Sequence, residues 1–419
     1  MKGKKKAFRL LSLIIAFTMA ISSSSAITAL AFENTDKAQL KFNNGEFKIL
    51  ILSDIQDTDT PQKATMALMT DAIEKTNPDL IVLLGDNTAG SWKGVTKEKT
   101  EKAIDEVCSV IDNAGIPFAL VFGNHDHEGI AEGKDDKSVE EAKEFLLSCY
   151  QKYDTCLAVE GEEMTGVCSY NLLIKDSQGQ KDIFNLWFMD SNPYAPEEEG
   201  GGYGYVHEDQ TEWYIKTSNE LKAQNNGEPM PSLLFQHIAV PEVYDMLTEV
   251  KRGTKGAVSG NGAHSGKYYV ANSEYIYEGS VNEGPCPPSN NHGQFESWVQ
   301  QGDILGAFFG HDHVNSFAGE YKGIKLIAVP GTTFFSYGNN HGIRTITLKE
   351  DDLSNFSSEL LMYDDITDYR EINAYIRNHG YYEYKNVFLP IACGVAGAIV
   401  LAAGAGIIIS KAIKKKKNK

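Results

Sequence analysis

The chain has 419 residues, 42% of them hydrophobic, enough for one large domain or two ordinary ones. Its 57 Asp and Glu outnumber 39 Lys and Arg, for a formal net charge of −18, which argues against nucleic acid as a partner. The six cysteines show no CxxC spacing, so zinc-thiolate ligation is not suggested.

Residues 1–31 begin with Lys2, Lys4, Lys5, Lys6 and Arg9, run through apolar Leu10 to Ile21 and end in Ala29-Leu30-Ala31. A basic start, a short apolar core and a small-x-small ending read as a secretory signal cut after Ala31. An uncleaved anchor helix is the alternative, disfavoured because that core is short for a bilayer. Residues 32–45 form a polar lead-in, and one large domain is expected over 46–364.

Within it, apolar runs predict buried strands at Phe47 to Leu52, Leu80 to Leu84, Pro117 to Phe122, Leu233 to Phe235 and Ile304 to Phe309. Helices are expected over 61–75, 97–113, 138–150 and 208–224. A hairpin is expected from 169–175 and 183–190, and a closing sheet run from 324–329, 332–337 and 343–348. The stretches 252–266 and 278–293 read as long Gly-, Asn- and Pro-rich loops beside the site. Strands alternating with helices predict an α/β class.

Residues 365–386 read as a juxtamembrane linker, and the almost wholly apolar 387–410 as a transmembrane helix. About 22 helical residues rise about 33 Å, a bilayer's hydrocarbon thickness. The basic tail 411–419 is expected to stay cytoplasmic, leaving the bulk of the chain outside the cell. Leu389-Pro390 lacks the Thr-Gly pair of a wall-sorting signal. Without both ends, residues 32–386 hold 28 basic against 57 acidic residues, a net −29. Five cysteines remain there, and Cys149, Cys156 and Cys168 are close enough in sequence to include one disulfide.

Each of the five buried strands is followed by a polar cluster: Asp54-Ile55-Gln56, Gly85-Asp86-Asn87, Gly123-Asn124-His125-Asp126, His237, and Gly310-His311-Asp312-His313. Strand carboxyl ends in an α/β sheet face one crevice, so these side chains can converge. Carboxylate, amide and imidazole donors in one place make a metal site. Alone, an Asp after a strand is usually a cap, and a lone His an ordinary polar residue. Five such clusters, each behind a strand, are not explained that way.

The order and wording of these clusters resemble the calcineurin-like metallophosphoesterase superfamily. Gly204-Tyr205 through Gln210, Trp213 and His237 to Glu242 are similar to its purple-acid-phosphatase-related branch. The resemblance implies a four-layer α/β/β/α sandwich and two metal ions, of Mn, Fe or Zn type. It places Asp54, Asp86 and His313 on one metal, with Gln56 where the superfamily usually has His. Asp86 would bridge to a second metal held by Asn124, His237 and His311. His125 would be the general acid, oriented or tuned by Asp126, with in-line attack by a hydroxide held between the metals. Ala89 stands where the purple enzymes place a ligand Tyr, so no purple colour is expected.

The expected function is an exported, membrane-anchored phosphomonoesterase. A phosphodiesterase or nucleotidase on the same metal core is one alternative, and an inactive surface binding protein another. Its partners are a small phosphoester or phosphorylated macromolecule as substrate, and the lipid bilayer through the C-terminal helix.

Overall fold

The computed structural model describes residues 37–197, 201–289, 292–338 and 340–369. The expected signal segment, transmembrane helix and basic tail lie outside the described residues, as does most of the linker. Among the described residues no helix is long and apolar enough to cross a membrane. All elements below belong to the unit that begins at Ala38.

Strands β1 (Glu46–Leu52), β2 (Leu80–Leu84) and β3 (Phe118–Val121) alternate with helices α1 (Lys63–Thr76), α2 (Lys97–Asn113) and α3 (Asp136–Tyr150). The hairpin β4 (Tyr170–Lys175) and β5 (Asp182–Phe188) follows, then α4 (Glu208–Gln224) and β6 (Ser232–Phe235). Short strands β7 (Leu247–Val250), β8 (Val258–Ser259), β9 (Tyr268–Ala271) and β10 (Ile276–Glu278) precede α5 (Gln294–Gln301) and β11 (Ile304–Phe309). The last strands are β12 (Ala318–Tyr321), β13 (Ile324–Ala328), β14 (Gly342–Lys349) and β15 (Asp352–Met362).

Side chains start these helices where the sequence offers a cap. Thr96 accepts a hydrogen bond from Lys99 N at the start of α2, and Asp135 one from Ser138 N at the start of α3. Helix α1 stops at Asn77, whose φ of 44° is left-handed and ends the hydrogen-bond ladder.

Two sheets result, ordered β15-β14-β1-β2-β3 and β10-β12-β13-β11-β6-β5-β4, with β7-β9-β8 as a small third. Strands β1, β2 and β3 run parallel, as do β5, β6, β11 and β13. One apolar core joins residues of both large sheets, such as Ile49 and Leu83 of the first and Phe188 and Phe308 of the second, with α1 to α3. A second core sets Trp213 and Tyr214 of α4 and Trp298 of α5 against Trp187, Leu234 and Phe309. The result is a mixed α/β sandwich with the parallel strand ends of both sheets meeting in one place.

Three local expectations need correction. The strand expected over 332–337 is absent because the Thr333 hydroxyl accepts the N–H groups of Phe335 and Ser336, folding the backbone back on itself. The 252–266 stretch is not all loop, since it contributes β8 to the small sheet. No disulfide joins Cys149, Cys156 and Cys168, all three buried, and Cys108 is a buried thiol as well.

Candidate metal centre

The five polar clusters follow β1, β2, β3, β6 and β11, three strands of one sheet and two of the other. Asp54, Gln56, Asp86 and His311 take φ values of 47°, 37°, 48° and 70°, a left-handed backbone unusual for residues with a side chain. Such strain concentrates where the surroundings over-determine a side chain's position. The neighbouring glycines permit the approach. A Cβ on Gly85 would sit 2.5 Å from His237 Nδ1, and one on Gly123 would sit 2.2 Å from Asp86 Oδ1.

These turns bring the expected ligands together in two groups that share Asp86. Asp54, Asp86 and His313 each present a donor atom within 4.8 Å of the others, and so do Asp86, His237 and His311. His313 Nε2 lies 3.3 Å from Asp54 Oδ1, and His237 Nε2 lies 3.3 Å from Asp86 Oδ2. A third group, Cys286, His311 and Asp312, has the same compactness, but the Asp312 carboxylate accepts the Cys286 backbone N–H at 3.2 Å.

The residues fit a pair of cations. Asn124 Oδ1, His237 Nε2 and His311 Nε2 are buried without a hydrogen-bond partner among the described residues, and all three belong to the second expected ligand set. Buried polar atoms are seldom left so. Second contacts fix the rings in aim: His237 Nδ1 meets the Leu84 carbonyl at 2.9 Å, and Tyr337 stacks on His313 at 4.2 Å.

Protonation shows the same demand for positive charge. Burial acts to lower the pKa of His237, but the charges of Asp86 and Asp54 outweigh it and raise it to about 10. Burial pushes up the Asp86 carboxyl, yet His237 and His125 hold it well below the carboxylate range. His311 is pushed down to about 3 by burial and by His237, which leaves a neutral imidazole ready to ligate.

Gln56 lies in this cluster, with Nε2 donating to Asp86 Oδ2 at 3.0 Å. Its contact here is thus with the shared carboxylate. Ala89, at the position of the purple enzymes' Tyr, lines the same cavity and offers no donor atom.

His125 lines the cavity, about a third exposed at its side chain, and its backbone N–H donates to Asp86 Oδ1 at 2.8 Å. The expectation that Asp126 orients it is corrected. Asp126 instead accepts the backbone N–H groups of Asn87, Thr88 and Gly123 at 2.8 to 3.0 Å, clamping the loop after β2 to the loop after β3. Burial and the Asp86 charge raise its pKa to about 7. The orienting group is Glu128, whose Oε2 meets His125 Nδ1 at 2.7 Å while Oε1 accepts from Tyr194 OH at 2.7 Å. Tyr194 OH in turn accepts from Asn124 Nδ2 at 3.2 Å. Burial acts to lower the His125 pKa, but the Glu128 hydrogen bond and the Asp86 charge prevail and raise it, favouring the protonated ring. Glu128 was missed in sequence; its three-residue spacing from His125 in a turn was the available signal. Nothing in the sequence marked Tyr194.

A mixed α/β sandwich whose parallel strand ends gather two overlapping carboxylate-imidazole groups is the architecture of a dinuclear metallohydrolase. The family model for calcineurin-like phosphoesterases matches residues 47–315, and the chain belongs to that family, which implies two metal ions. Among curated relatives it is 29% identical over 333 residues to "Probable inactive purple acid phosphatase 29" of Arabidopsis thaliana, covering 72% of this chain and 76% of that one. It is 27% identical to "Probable inactive purple acid phosphatase 14" of the same plant, covering 75% and 77%. Among solved structures it is similar to a dimetal phosphatase from Danio rerio, with 15% identity, a TM-score of 0.46 and coverage of 76% of this chain and 96% of that one.

Proposed function

We propose that the chain is an exported, membrane-anchored metal-dependent phosphomonoesterase on a four-layer α/β/β/α sandwich. The observation that carries the catalytic part is the pair of donor groups sharing Asp86, with three buried donor atoms that make no hydrogen bond among the described residues. The export and anchoring part is supported by the basic-apolar start and the apolar-basic end of the sequence.

Asp54, Asp86 and His313 would hold one cation, and Asp86, Asn124, His237 and His311 the other. Such a pair neutralises charge on the phosphoryl oxygens and makes water a nucleophile at neutral pH. The chain's own residues do the rest. His125, its Nδ1 occupied by Glu128, has Nε2 left to give a proton to the departing alcohol oxygen. Asp126 holds the two ligand-bearing loops in register.

The names of both plant relatives, each called probably inactive, favour a second reading, an inactive binding protein. Metal content and hydrolysis of a monoester, a diester and a nucleotide separate the readings. The proposal expects two metals per chain and fastest turnover of the monoester. Asp86→Asn should then abolish hydrolysis and lower occupancy at both sites, because one carboxylate serves two cations. Two metals retained with full activity in that variant would refute the shared bridge.

A further inference from the structure

Beside the metal cavity lies a second cavity of about 320 Å³, and the two share Ala89, Trp92 and Phe335. Trp92 and Phe335 meet edge to face with ring centroids 5.1 Å apart, so the common wall is aromatic. The segment carrying Trp92 is pinned on both sides. Ala89 N–H donates to the Asp57 carbonyl at 2.9 Å, and Thr88 N–H to Asp126 Oδ1 at 3.0 Å. A Cβ on Gly90 would lie 1.9 Å from the His125 carbonyl oxygen, so this segment is pressed against the backbone of the proposed acid. The wall thus stands on the His125 side of the metal cavity, the side on which the alcohol departs.

The lining says what the second cavity takes. Thr88 is only 3% exposed, it lines this cavity, and its hydroxyl has no hydrogen-bond partner among the described residues. A buried hydroxyl left unmatched marks a place where a ligand or water completes the bond. Asp57 and Asp59 line the same space together with Lys93 and Lys99, so the charges of the lining offset and favour neither an anion nor a cation there. An aromatic wall, an unmatched hydroxyl and a lining whose charges offset suit a neutral planar ring with a polar edge.

We propose that this cavity is the leaving-group subsite, and that it selects phosphoesters of uncharged, ring-bearing alcohols packed against Trp92 with Thr88 Oγ1 bonded to the polar edge. This rests on the phosphoesterase reading, and the test separates the two. The metal-loaded full chain is assayed on 6-hydroxy-2-naphthyl phosphate, whose ring hydroxyl supplies the polar edge, and on glycerol phosphate, as wild type, Trp92→Ala and Thr88→Val. Binding of 6-hydroxy-2-naphthol alone is measured by calorimetry, which needs no turnover. The ratio of kcat/KM for the naphthyl over the glycerol ester should fall about tenfold in Trp92→Ala and several-fold in Thr88→Val, mainly through KM, with naphthol affinity falling in parallel. Thr88→Val preserves shape, so it keeps the test decisive even where removing Trp92 disturbs folding. If no ester is hydrolysed but naphthol binding still depends on Trp92 and Thr88, the phosphoesterase reading fails and the ring-binding cavity stands. The subsite is overturned if wild type binds no naphthol at millimolar concentration. It is overturned equally if both variants keep the wild-type ratio and affinity.

Discussion

At the scale of single residues, His125 and Gln56 carry the sharpest tests. The His125 ring is held through Nδ1 by Glu128 and belongs to neither donor group. His125→Asn should therefore keep metal content near wild type and lower turnover by roughly 10² to 10⁴, the worth of a positioned acid. The loss should shrink for nitrophenyl phosphate, whose leaving group needs no proton. An equal loss on alkyl and nitrophenyl esters would deny His125 that role. Glu128→Ala should reproduce part of the defect, and Glu128→Gln, which keeps an acceptor for Nδ1, should recover most of it. Gln56 departs from the superfamily's usual His, and an amide oxygen is a poorer partner than imidazole for a borderline-soft ion. The site built on Asp54 and His313 should thus lose its metal first on mild chelation, with activity restored best by Mn²⁺. Gln56→His should tighten it and raise the preference for Zn²⁺. Two equally tight sites in wild type, with neither affinity nor preference changed by the substitution, would leave Gln56 as only a hydrogen-bond donor to Asp86.

At the scale of elements, the strands before the site were legible because each carries an apolar run, unbroken in Leu80–Leu84, which is buried on both faces. The clusters after them were legible for a linked reason: a left-handed turn at a strand end leaves a short motif of Gly, Asp, Asn and His. What the sequence hid was decided by side-chain bonds to backbone. Thr333 breaks an otherwise strand-like run by capturing two N–H groups, and Asp126 spends its carboxylate on three N–H groups rather than on His125. Strand β15 also escaped notice, because only one of its eleven residues is buried and they lack an apolar alternation. Asp303, just before β11, is a similar case with a pH signature. Burial pushes its carboxyl above the usual range against hydrogen bonds from Tyr214 OH at 2.5 Å and Ser218 Oγ at 3.1 Å. A carboxyl raised in the folded state contributes stability that is complete below its unfolded pKa of about 4 and is lost as pH rises through the folded value. Asp303→Asn does not titrate, so the Tm of the variant minus that of wild type should grow as pH rises from about 4, then level off. A difference that stays flat across that range would mean Asp303 is as easily ionised in the folded chain as in the unfolded one.

At the scale of the whole molecule, the proposed anchored topology rests on how charge and hydropathy are distributed along the sequence. All the acidic residues fall within 32–386, whereas 11 of the 39 basic ones sit in the two terminal segments. Every residue proposed for the site, from Asp54 to His313, precedes the end of β15 at Met362. The terminal segments are therefore separable from the chemistry. A chain ended at Asn386 should be released to the medium and keep the activity of the full chain, since what is removed is the apolar run and its lysines. Intact cells carrying the full chain should hydrolyse a phosphoester that cannot cross the membrane. In the proposed topology the lysine cluster would set the direction, because basic residues flanking an apolar span stay on the cytoplasmic side. Reversing that cluster to Glu tests the cause, since acidic flanks contribute little to retention and the bias of the remaining basic residues would then decide. Activity that appears only after lysis would place the catalytic domain inside. Retention of the shortened chain in the membrane fraction would instead move the anchor to residues 1–31, uncleaved.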